Sequence, residues 1–140
     1  MLADELDVVD ELLEGTYWVV DFLPSQVPAG SAGRYGEVER YFVSSGMAAR
    51  AKCGLLLRLM CYVDLKVRVA DADTWLSPAP ADFARMVERS YLTILCGQAL
   101  IVSDPDDTYL TVFNPSERLL DVLRKLSAAE GLFVWQPPQG

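Results

Sequence analysis

The stretch of this chain best suited to chemistry is Gly30-Ser31-Ala32-Gly33-Arg34-Tyr35-Gly36, which follows an aromatic, β-branched segment and precedes a helical one. A glycine-rich turn ahead of a helix exposes free backbone N–H groups, and such groups bind anions. Gly30, Ser31, Gly33 and Arg34 are therefore the candidate anion- or ligand-binding residues, with Glu37 and Glu39 nearby. Their spacing matches neither the Walker A pattern nor the dinucleotide G-x-G-x-x-G pattern. An ordinary surface loop explains the same residues without a ligand.

A second arrangement is Asp21 on one predicted strand with Asp64-Leu65-Lys66 on another. It resembles the carboxylate and D/E-x-K set of metal-dependent nucleases, in which two carboxylates hold Mg²⁺ and a lysine steadies the attacking water. The tripeptide is short enough to arise by chance, and two helices separate the strands where a hairpin is usual. Alternating polar residues on a wet strand face account for Asp64 and Lys66, so no metal is expected. Asp104, Asp106 and Asp107 lack the glycine and distal glutamate of a calcium loop and read as turn residues.

The chain has no histidine, which removes Ser-His, Cys-His and His-ligated metal catalysis together. Cys53, Cys61 and Cys96 are odd in number and set among apolar neighbours, so buried free thiols are expected. Catalytic residues cannot be assigned and no cofactor is expected. Trp75, alone among polar residues 71–78, either plugs the core or anchors a partner, which makes it a candidate interface residue, with the plug preferred.

Composition limits the function classes. At 140 residues, 51% hydrophobic and 23% charged, the chain is sized and composed for one domain, residues 1–140, with one core. The mean hydropathy of +0.18 invites a membrane reading, but the longest apolar run, residues 55–63, contains Arg58 and is too short to cross a bilayer. Twelve bases against twenty acids give a net charge of −8, which disfavours nucleic acid and anionic membranes as partners. The charge is uneven. Residues 1–14 carry six acids and no base, while residues 34–68 carry seven bases against three acids. An acidic N-terminal helix lying against the basic middle is one resolution; an independent docking arm is the other.

The elements that must position these residues follow from periodicity. Leu2, Leu6, Val9 and Leu13 mark an amphipathic helix over 1–14. Residues 16–23 form a strand, residues 24–36 a loop, residues 37–43 a short helix and residues 47–62 a helix packed on several faces. Alternation predicts a half-buried strand from 63, and Pro80 opens a helix over 80–89. Gly97-Gln98 joins strands 91–96 and 99–103, and a turn at 104–107 leads into strand 108–113. Asn114 caps a helix over 115–129, Gly131 closes it, and strand 132–135 precedes a disordered tail, 136–140.

The expected fold is α+β, a mixed, mainly antiparallel sheet of five or six strands with helices packed on it. The leading functional expectation is a non-enzymatic protein-interaction or regulatory module of the cytosol, with a protein partner or self-association and no membrane. The alternative is a small-molecule or anion-binding protein, an enzyme included, that uses the 30–36 loop.

Overall fold

Why the chain folds as it does is clearest in its third helix. In the computed structural model, which describes residues 9–28, 30 and 32–137, helix α3 spans Met47–Leu59 and buries Ala48, Lys52, Leu55, Leu56 and Leu59. Those positions recur at helical spacing and form one stripe. Helix α4 (Pro80–Arg89) adds Phe83 and Val87, and α5 (Glu117–Ala129) adds Leu119 and Leu123. Helix α2 runs Ala32–Ser44, and the described part of α1 covers residues 9–13.

These helices serve a six-stranded sheet built from β1 (Tyr17–Asp21), β2 (Lys66–Val69), β3 (Leu92–Cys96), β4 (Ala99–Ser103), β5 (Leu110–Phe113) and β6 (Phe133–Trp135). The spatial order is β2-β3-β4-β5-β1-β6, and every neighbouring pair is antiparallel. The α+β expectation is met within one domain. Strands β5 and β6, which are joined through α5, share the sheet with β1 inserted between them, antiparallel to both.

Strand alternation divides the side chains into two sets. Val20, Val67, Leu92, Ile94, Ile101, Leu110 and Val112 point to α3, α4 and α5 and make the main core. Tyr17, Val19, Asp21, Thr111, Phe113 and Trp135 point the other way, as the pairings Val19↔Thr111 and Val19↔Trp135 require. Part of that second face is covered by α1, whose Val9 is buried against Leu100 and Phe113 with Leu12 and Trp75 beside it.

Several boundaries differ from the sequence reading. Helix α2 begins at Ala32, so Gly33 and Gly36 lie inside a helix instead of in a loop. The cap of α5 is Ser116, whose hydroxyl accepts the Leu119 N–H at 3.1 Å; Asn114 instead adopts a left-handed turn, φ +53°, and donates its side-chain amide to the Gln98 carbonyl. Gly97, φ +63°, opens the β3–β4 hairpin as the sequence implied. Of the α1 stripe, Leu2 and Leu6 lie outside the described residues, and Leu13 is exposed while Leu12 packs.

Candidate functional site

Beside the described part of α1, no other described helix covers the second face of the sheet. Strands β5, β1 and β6 there supply Thr111, Phe113, Tyr17, Val19, Asp21 and Trp135 as the floor of a cavity of about 510 Å³. Its walls come from the loop after β1, through Leu23, Val27 and Pro28, and from Tyr35, Tyr109 and Pro137. Tyr35 reaches this place because α2 is pinned to the end of β1: the Phe22 ring stacks on Tyr35 at 6.3 Å and packs on Phe42 at 4.5 Å. The Tyr35 hydroxyl donates to Glu39 Oε2 at 2.8 Å, one helical turn on. Both the volume and the aromatic lining are those of a small-molecule site.

The cavity holds one charged side chain among its described lining, Asp21, which is only 7% exposed. Two hydrogen bonds converge on its Oδ1, from the Phe22 N–H at 2.7 Å and the Thr108 hydroxyl at 2.9 Å. Oδ2 has no partner among the described residues. Burial pushes the Asp21 carboxyl above its ordinary range; the two hydrogen bonds oppose that shift, and Glu39 and Asp107 reinforce it. Burial and the neighbouring carboxylates likewise raise the Tyr35 and Tyr109 phenols.

Next to Asp21 lies a feature the sequence reading missed. Lys52 is 1% exposed, and its ammonium donates to the carbonyls of Asp104 and Asp107 at 2.6 and 2.7 Å. Burial lowers its affinity for the proton, while Asp107, Asp104, Asp106 and Asp21 sustain its charge. The signal was available in the stripe, since position 52 falls one turn after Ala48 and one turn before Leu56. The 104–107 turn is thus held from inside by Lys52 and locally by the Asp106 N–H, which donates to Asp104 Oδ1 at 2.9 Å.

The residues singled out from sequence are not gathered in this way. Gly30 is in an exposed single turn, Gly33 is inside α2, and Ser31 lies outside the described residues. Arg34 projects from α2 into solvent and pairs with Glu37 at 2.9 Å. Trp75 is half-buried against the second face, with the Arg68 guanidinium 5.6 Å from its ring centre. Asp21 and Lys66 are on strands four places apart in the sheet order, roughly 19 Å at the usual spacing, too far to share a metal. The three thiols are free, but only Cys96 is buried; Cys53 is half-buried and Cys61, just past the end of α3, is exposed. The expectation that all three are buried fails at Cys61, because the apolar stripe ends at Leu59.

A second hollow, about 480 Å³ between α4 and residues 76–78, is lined by Asp82, Arg85 and Arg89, and its Arg85 is already paired with Asp82. A third, about 680 Å³, lies beside Gly15, Gly97 and Gln98 and has no aromatic lining; of these three hollows among the described residues, only the one on the second face of the sheet joins an aromatic lining to a buried carboxylate. Comparison of the chain with protein-family models, curated proteins and solved structures yields no match.

Proposed function

We propose that this protein is a non-enzymatic ligand-binding module whose site is the cavity on the second face of the sheet. One observation carries the proposal: aromatic and aliphatic side chains from three neighbouring strands surround about 510 Å³ of open space with Asp21 buried at its edge. A fold that needed this face only for stability would have filled it, as α1 and Trp75 fill the adjoining part. This takes up the small-molecule reading of the sequence with a different set of residues: of the 30–36 stretch only Tyr35 lines the cavity. The regulatory reading is retained: Tyr17, 40% exposed at the rim, and Phe133, cross-strand from Asp21 and 44% exposed, offer contacts to a protein partner or a second copy. Three free thiols, one of them exposed, suit a reducing cytosol, and that location is included in the proposal.

The test is a titration of isotopically labelled protein with a library of aromatic and aliphatic fragments. Shifts are expected at the amides of Val19, Thr111 and Trp135, and Thr111→Trp, which fills the cavity, should abolish them. Shifts confined to the α4 hollow, or none at millimolar ligand, would refute the site.

A further inference from the structure

We infer that the occupant of the cavity is a small organic cation, an ammonium or guanidinium carried on an aryl or alkyl body, with Asp21 as its counter-ion. The inference rests on the proposed ligand-binding function and adds the chemical class.

The argument begins with charge. The described cavity lining has no lysine or arginine, and its one ionisable carboxylate is Asp21. Around Asp21, within electrostatic range of it or of Lys52, are Glu39, Asp104, Asp106 and Asp107. Lys52 is the cation of this cluster, and both of its hydrogen bonds go to backbone carbonyls of the 104–107 turn, none to a carboxylate. The region is therefore net negative, and an anion entering the cavity would meet repulsion with no lysine or arginine in the described lining to offset it.

Geometry gives the second reason. Asp21 is more than nine-tenths buried and lines the cavity, with both of its hydrogen bonds on Oδ1. Oδ2 is left as an acceptor of the kind that a charged N–H donor satisfies best. Thr108 and the Phe22 N–H fix the carboxylate in place before anything binds. Oδ2 itself is not sealed off, so the otherwise buried carboxylate keeps an accessible acceptor on the cavity that it lines.

The third reason is the kind of wall. Tyr17, Tyr35, Tyr109, Phe113 and Trp135 contribute five aromatic rings to the lining that holds the one carboxylate. Ring faces carry negative potential and attract cations, and they also pack against an apolar body. A bare metal ion would find one carboxylate and no further anionic ligand in the described lining. An organic cation uses both halves of the lining.

The experiment is calorimetric and NMR titration of the whole chain with 2-phenylethylammonium and butylguanidinium, each set against a neutral isostere, 2-phenylethanol and pentanamide. The cations are expected to bind at least about tenfold tighter than their isosteres, and Asp21→Asn should remove that preference while leaving the isosteres' affinity in place. Free arginine and a short arginine-containing peptide distinguish a small-molecule ligand from a side chain of a partner protein; the proposal requires that the peptide bind no better than the free amines. Equal affinity for cation and isostere in the wild-type protein would overturn the inference and leave the cavity standing as a binding site. Absence of binding by all the probes, with the Trp135 indole resonance unmoved, would remove both. The wild-type comparison stands on its own if Asp21→Asn fails to fold.

Discussion

The two faces of the sheet are made by the same strands and differ in what covers them. On one face α3, α4 and α5 enclose Val20, Ile94, Ile101 and Val112 with no exposed surface on any of the four. On the other, coverage by the described residues stops partway: α1 and Trp75 close over Leu100 and Phe113, and the floor from Thr111 to Trp135 borders a cavity. Valine residues 19 and 20 sit back to back across this divide. The first face holds the fold together. The second keeps a buried carboxylate in an unfilled hollow, an arrangement that costs stability and that binding would offset.

Several substitutions break or sharpen that contrast. Leu59→Ala, on the closed face, should cost about 2–5 kcal/mol in a denaturant melt, because every neighbour of the lost atoms is packed. Lys52→Met should cost about 3 kcal/mol, leaving the Asp104 and Asp107 carbonyls without their charged donor. A drop below 1 kcal/mol would show that water replaces the ammonium and that the turn does not depend on it. The adjacent pair gives the cleanest comparison. Val20→Ala should cost about 2–3 kcal/mol and Val19→Ala about 1 kcal/mol, since Val19 borders space that is already empty. Equal losses would mean that the second face is packed in solution.

The smallest effect is the most diagnostic. With its carboxyl raised above the ordinary 3.8, Asp21 holds a proton more tightly in the folded protein than in the unfolded chain. Its contribution to stability therefore grows as pH falls towards 3.8 and is lost as pH rises through the folded value. Glu39 and Asp107 strengthen that dependence, Lys52 faces the same carboxyl from α3, and the Tyr35 and Tyr109 phenols stay neutral throughout the window. Asp21→Asn keeps an acceptor for Phe22 and Thr108 without the charge, so it should melt higher than the wild type at neutral pH. The gap should close on acidification. A lower melting temperature at neutral pH would show that the charge stabilises the fold. In thiol chemistry Cys61 should react quickly in the native state and Cys96 only on unfolding, burial having pushed its thiol up to about 12.

Much of the fold was legible because its signals are local. The Gly97-Gln98 hairpin, the Pro80 helix start and the stripe of α5 depend on neighbours within a few residues, and they lie where the sequence reading put them. The site was less legible. Alternation within β1 could have shown Tyr17, Val19 and Asp21 on one face, but only the sheet order brings Thr111 and Trp135 beside them. Lys52 was hidden by the habit of assigning lysine to the surface, although its position in the α3 stripe is that of a core residue. The 30–36 stretch misled for a related reason: its three glycines imitate a loop, yet the helix of α2 carries two of them.

The place of β1 in the sheet has a consequence for how the protein is made. Val20 pairs with Leu110 on one side and Val134 on the other, both far downstream of it in the sequence. On the ribosome β1 is therefore complete long before either partner has been synthesised, and its apolar residues must wait. Such distant pairings fold slowly, because the loop between them has to close before any contact repays it. Truncation before residue 133 would remove β6 and expose one edge of β1, turning a protected inner strand into a template for aggregation. A nascent chain stalled before residue 133 should accordingly be a substrate for chaperones, and release of the last strand should be the step that frees it.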